Sequence, residues 1–172
     1  MELDIKGIIP AMVTPLDGKG RIKEKTLREL TRFFIKGGVH GLFPGGSTGE
    51  WYGLDLEQKR KIFEIVLDEA ENKIPVYAGT GAITTREAVE LTEMAAAVGV
   101  DAVSVLTPVF ISPEAEELFA HYQTIAEAVD IPVLLYNNPG RTDINLEAEL
   151  VEKLSREVDN IQGIKDSSGD VT

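Results

Sequence analysis

Short apolar runs alternate with longer amphipathic stretches along this chain. Gly7–Thr14, Gly41–Pro44, Pro75–Gly79, Asp101–Pro108, Ile131–Tyr136 and Ile161–Lys165 are such runs, flanked by glycine, proline or small polar residues, and each reads as a strand. Between the first two, Leu27, Leu30, Phe33 and Phe34 recur at helical spacing, and Gly37-Gly38 stops that helix. Ile62, Phe63, Ile65 and Val66 give the next helix its apolar side. Asp55 with Gln58 and Thr84 with Glu87 have the spacing of capping boxes, and the helix begun at Thr84 ends at Gly99. Ser112-Pro113 is expected to open a further helix, and Asn145 to cap the one carrying Leu150 and Leu154.

The strands recur every 27 to 35 residues. Strand and helix alternating at that period predict stacked βα units around a parallel sheet. The strands are continuously apolar rather than alternating, as expected where both faces of a sheet are covered. Two architectures fit: an open doubly wound sheet and a (β/α)8 barrel. A dinucleotide-binding sheet wants G-x-G-x-x-G after its first strand, whereas Gly79-Thr80-Gly81-Ala82-Ile83-Thr84 follows the third and ends in threonine. In a barrel the polar residues after each strand gather at one end, where such folds keep their chemistry. Here these are Thr14, Ser47, Thr48, Thr107, Tyr136, Arg141 and Lys165, which favours the barrel.

Composition narrows the chemistry. The 172 residues suit one domain, and 43% apolar with 27% charged residues suits a soluble globular chain. Without cysteine there is neither a disulfide framework nor a thiolate metal site. A net charge of -12 opposes nucleic acid and anionic membranes but leaves room for a local pocket that takes an acidic small molecule. Met1–Asp4 lacks the basic and apolar segments of a leader, and no apolar run is long enough to span a bilayer, so a cytoplasmic location is expected. His40 and His121 are not placed as ligands, and no metal-binding cluster is visible.

Lys165 is the residue of most chemical interest. An ammonium is expensive to bury, and a buried amine escapes that cost by shedding its proton. A neutral amine is a nucleophile towards ketones. Taken alone, Lys165 also fits a capping or salt-bridged lysine. Gly45-Gly46-Ser47-Thr48-Gly49-Glu50 lacks the G-K-[ST] ending of a nucleotide loop, but its glycines let backbone N–H groups approach a carboxylate. In Tyr136-Asn137-Asn138-Pro139-Gly140-Arg141-Thr142 a Pro-Gly turn follows a strand-closing tyrosine. That tyrosine suits a core position or an acid/base role, and the arginine suits a solvated surface or a carboxylate fork.

The Gly-Gly-Ser-Thr-Gly-Glu loop at 45–50, Thr107-Pro108, Tyr136-Asn137-Asn138-Pro139 and Gly163-Ile164-Lys165-Asp166, in that order, resemble the dihydrodipicolinate synthase / N-acetylneuraminate lyase family of pyruvate-dependent class I aldolases. The resemblance runs from Gly7 to Asp170 and implies a (β/α)8 TIM barrel, assembled as a homo-oligomer, dimer or tetramer. It implies that Lys165 forms a Schiff base with pyruvate or another 2-oxo acid, and that Tyr136 and Thr48 relay protons. Ser47 and Thr48 would hold the pyruvate carboxylate, and Arg141 that of an aldehyde co-substrate. No cofactor and no metal are implied. The activity expected is a class I lyase or aldolase, 4-hydroxy-tetrahydrodipicolinate synthase-like, with N-acetylneuraminate lyase or a sugar-acid 2-oxo-acid aldolase or dehydratase as alternatives.

Phe110 stands where many members have a relay tyrosine, and Asp143 where those synthases have glycine. An eight-stranded barrel takes about 250 residues. Residues 1–172 are therefore expected to form a single partial barrel domain of about six βα units, without strands 7 and 8 and the C-terminal helices. Such a chain would be a fragment, or be completed by another chain. A non-catalytic partial barrel acting as an assembly partner is the alternative of another class.

Overall fold

The computed structural model describes residues 5–170, so the leader reading at Met1–Asp4 lies outside the described residues. The chain divides into two compact units, Met1–Gly79 with Met94–Ala102 and Thr80–Glu93 with Val103–Thr172.

In the first unit two amphipathic helices, α1 (Glu24–Lys36) and α2 (Leu56–Ala70), cover an apolar interior. Asp55 and Gln58 form the reciprocal capping box expected of them. Leu27, Ile62, Phe63 and Val66 are at most 1% exposed, and Met12, Leu42 and Tyr77 are buried in the same unit. Burying each such large side chain is worth about 1.5–3 kcal/mol. Arg28 ties the helices on the outside, donating to Glu24 on α1 and to Asp68 and Glu69 on α2. The first two expected strands shrink to isolated parallel bridges, Ala11 with Phe43 and Leu42 with Val76. Pro10, Pro44 and Pro75 explain this, since each removes a ladder donor. Their carbonyls still accept: Phe43 N–H donates to Pro10 O at 3.1 Å, Leu42 N–H to Pro75 O at 2.9 Å and Gly79 N–H to Pro44 O at 2.9 Å. The third run survives as β1 (Tyr77–Gly79). The cap at Thr84 and Glu87 forms as expected at the start of α3 (Thr85–Val98), and Gly99 ends it at φ +94.

In the second unit β2 (Ala102–Leu106), β3 (Val133–Asn137) and β4 (Ile161–Asp166) are strands, the pairs β2–β3 and β3–β4 running parallel. β2 and β3 are buried throughout, matching their continuous apolar runs. β4 departs from that expectation: it alternates, with Ile161 5% and Ile164 41% exposed. Among the described residues β4 has a ladder only with β3.

Two expected caps differ. Helix α4 (Ala115–Glu127) is capped by Glu114 with Glu117, not by Ser112. The helix begins only at Ala115, so Glu114 with extended backbone takes the N-cap, and its N–H donates to Glu117 Oε2 at 2.9 Å. Helix α6 (Ala148–Glu157) follows Glu147, which makes no side-chain cap. Asn145 does not cap it either, because its amide is engaged by Asn137 and Glu147. The expected Pro-Gly turn is instead one helical turn, α5 (Pro139–Thr142), with proline in its first turn.

His40 accepts the Ile8 N–H at Nδ1, 3.0 Å away, and so is structural. His121 on α4 is 6% exposed, with Nδ1 2.9 Å from Thr85 Oγ1. Burial holds its pKa down at about 4, against an ordinary 6.5. The unfolded chain then binds this proton more readily than the folded one. Its contribution to stability is complete above the unfolded value and is lost as pH falls towards the folded one. We expect the urea midpoint to fall as pH drops from about 6.5 towards about 4, costing on the order of 1 kcal/mol per pH unit, and His121→Leu to flatten that part of the profile. An unchanged slope in the variant would remove His121 as the cause.

Candidate active site

The geometry of the second unit turns on how β4 lies against β3. Val133 faces Ile161, but Leu134 faces Gly163, so Gln162 is an extra residue on β4. Beyond this bulge Leu135 faces Ile164, Tyr136 faces Lys165 and Asn137 faces Asp166. Residues opposite one another in a parallel ladder point to the same side. Without the bulge Ile164 would face Tyr136, and Lys165 would point to the other face. With it, Lys165 Nζ sits 3.4 Å from the centre of the Tyr136 ring. Its Nζ also donates to Ser167 Oγ at 3.2 Å.

The opposite side of the same two residue pairs is a polar clamp. Asn137 is 2% exposed and fully used. Its Nδ2 donates to Asp166 Oδ2 at 2.7 Å and to Asn145 Oδ1 at 2.9 Å, and its Oδ1 accepts the Leu146 N–H at 3.1 Å. Its carbonyl accepts the Ser167 N–H at 2.9 Å. Asp166 also accepts from the Ser168 N–H and hydroxyl, and these donors, with Asn137, hold its carboxyl below the usual carboxylate range. Sequence reading quoted Asn137 and Asp166 but gave them no role. The alternation of a strand, which sends 137 and 166 to the side away from 136 and 165, is the signal that would have found them.

The burial expected of Lys165 is only partial. Lys165 is half-buried, while Tyr136 is 5% exposed and lies under it. Among the described residues β4 has a ladder only with β3, so its other edge leaves Lys165 partly open. Arg141 is exposed on α5, and its guanidinium has no hydrogen bond or ion pair among the described residues. Asp143, which ends that turn, has φ 59, a region where glycine is at ease and aspartate is tolerated. Phe110 adopts φ 77 and is 97% exposed. Thr107 is not open to a ligand, because it is buried and donates to Thr142 Oγ1 at 2.8 Å.

The first unit holds Ser47 and Thr48 in a single 3-10 turn, Ser47–Gly49, with Ser47 half-buried and Thr48 exposed. Gly45 at φ +72 sends the chain into that turn. Thr14 fastens it, donating to Gly49 O at 2.7 Å, so Thr14 is a tether rather than a substrate contact. Gly79 lies against the start of the loop: a Cβ there would stand 2.4 Å from Gly45 O and 2.8 Å from Gly46 N. Among the described residues no group of three or more His, Cys, Asp or Glu is placed to hold a metal ion, and no helix is long and apolar enough to cross a membrane.

Solved structures of (β/α)8 barrels superpose on this chain over nearly its whole length, so its α/β fold is of that class, with about six βα units present. The chain belongs to the Dihydrodipicolinate synthetase family, which it matches over residues 4–172. It is 46% identical over 173 residues to a 4-hydroxy-tetrahydrodipicolinate synthase of Methanopyrus kandleri, covering 99% of this chain and 57% of that protein. The chloride-inhibited dihydrodipicolinate synthase of Acinetobacter baumannii, complexed with pyruvate, superposes with a TM-score of 0.94 at 42% identity, covering 97% of this chain and 57% of that one. CdNal of Clostridium difficile, in complex with mannosamine, superposes at 0.93 with 36% identity, covering 98% and 58%. The chain thus spans a little over half the length of these relatives.

Because a methyl group at Gly79 meets backbone rather than a movable side chain, Gly79→Ala is expected to cost about 1–3 kcal/mol of stability. Gly53→Ala, where nothing lies within 4 Å, is the matched control. Equal denaturant midpoints for the two variants would contradict the packing described.

Proposed function

We propose that this chain carries the catalytic half of a class I lyase that joins Lys165 to pyruvate or a similar 2-oxo acid. The observation that carries the reading is the Lys165 amine held 3.4 Å over the Tyr136 ring by the β3–β4 register. The neutral amine adds to the ketone carbon, loss of water gives an imine, and uptake of a proton at its nitrogen makes the iminium ion. That cation draws electrons from the neighbouring methyl group, which gives up a proton and becomes an enamine. The enamine carbon then bonds to an aldehyde, or the reverse sequence cleaves a 4-hydroxy-2-oxo acid. Tyr136 and Thr48 are the proposed carriers of protons, in imine formation and in the carbon–carbon bond chemistry that follows it. Ser47, Thr48 and the N–H groups of their turn are the proposed seat of the substrate carboxylate.

The condensation proposed is that of a 4-hydroxy-tetrahydrodipicolinate synthase, the name carried by relatives 46% and 44% identical to this chain. Arg141, exposed and without a partner among the described residues, supports it as a planar fork for a second carboxylate. Cleavage of an N-acetylneuraminate-type substrate is the second reading, favoured by the likeness to CdNal with mannosamine and by Phe110, which has no hydroxyl to offer a relay. The proposed setting is the cytoplasm, and the proposed state a homo-oligomer, the latter supported by Phe110 at 97% and Ile111 at 53% exposure, side by side on one loop.

Incubation with pyruvate and borohydride, read by intact mass and peptide mapping, tests the reading. A single reduced adduct on Lys165, absent from Lys165→Ala, is the expected result. A folded sample that stays unmodified would show that this chain does not form the imine.

A further inference from the structure

Asn138 sits at the N-cap of α5, a position where asparagine ordinarily turns its side chain onto the first free amides of the helix. Here it makes no such bond. Its Nδ2 donates instead to Tyr136 Oη at 3.0 Å. Two residues apart on an extended chain, the side chains share a side. The Asn138 backbone is fixed independently, because its carbonyl accepts the Arg141 and Thr142 N–H groups at 2.9 and 3.2 Å and the Thr142 hydroxyl at 3.3 Å. A short side chain on a fixed backbone is thus aimed at the phenol rather than at the helix.

A phenol oxygen offers one hydrogen and accepts through its lone pairs, whereas an amide nitrogen only donates. The Asn138 N–H therefore occupies the acceptor side of Oη and turns the phenolic hydrogen away from itself. We infer that Asn138 is a positioning residue for Tyr136, setting the direction in which the phenol gives and takes a proton. It acts on proton transfer at the pyruvate methyl group more than on capture of pyruvate by Lys165. The inference rests on the imine reading above, and it assigns a role to the second asparagine of Tyr136-Asn137-Asn138-Pro139 that the clamp at Asn137 leaves unused.

The test compares the unsubstituted chain with Asn138→Leu and Asn138→Asp, the second keeping the shape of the side chain while its ionised carboxylate cannot donate. Three readouts are taken on each: borohydride trapping of pyruvate on Lys165, deuterium exchange of the pyruvate methyl protons, and the tyrosine 13Cζ signal of Tyr136, assigned with Tyr136→Phe. Trapping is expected to stay within about twofold of the unsubstituted chain. Methyl exchange is expected to fall roughly three- to tenfold, the worth of one hydrogen bond. The Tyr136 signal is expected to move in both variants. Exchange that is unchanged, or that falls only in step with trapping, overturns the inference. Should the unsubstituted chain trap no pyruvate, the imine reading fails by itself and the 13Cζ signal decides the rest. Unmoved by either variant, it overturns the role of Asn138; moved by both, it supports the hydrogen bond that the role requires.

Discussion

The chemistry proposed for this chain depends on one extra residue in a strand. Gln162 displaces β4 by one position against β3, so that Lys165 rather than Ile164 lies beside Tyr136. A parallel ladder holds such a register only where side chains make the alternative costly. Here the Asn137–Asp166 hydrogen bond does so. In the unshifted pairing Asp166 would leave Asn137, and a buried carboxamide would lose a charged partner. Leaving such a group unsatisfied costs about 1–3 kcal/mol.

Strand alternation divides the work between two sides of the same residue pairs. On one side lie Tyr136, Lys165 over its ring and Asn138 on its hydroxyl. On the other, Asn137, Asn145, Asp166 and the Ser167 and Ser168 amides form a closed hydrogen-bond net. The net keeps the turn after Lys165 in place, and that turn brings Ser167 Oγ to the amine. The chemistry proposed and the hydrogen bonds that hold the register thus fall to opposite faces of the same strand pair.

The half-burial of Lys165 changes the physical account of its reactivity. An apolar run ending in lysine suggests an amine forced out of water, yet among the described residues β4 has a ladder on one edge only and Lys165 stays half-buried. The aromatic face of Tyr136 and the Ser167 hydroxyl are its immediate surroundings, rather than a dry interior. Relatives nearly twice as long share the fold over this chain's length.

The hydrophobic pattern by itself determined the order and spacing of the elements, because burial selects period and length directly. It located the capping boxes at Asp55 and Thr84 and marked Tyr136 and Lys165 as strand-end residues. Prolines were legible too, but their effect, reducing the first two strands to bridges, depends on which carbonyls and amides meet. The cap of α4 fell to Glu114 rather than Ser112, and Asn145 was drawn away from α6 by its hydrogen bonds with Asn137 and Glu147. The bulge at Gln162 has no mark in the sequence, since glutamine before glycine fits either register. Whether the lysine met the tyrosine was settled by the fold, through the hydrogen bond between Asn137 and Asp166, 29 positions apart.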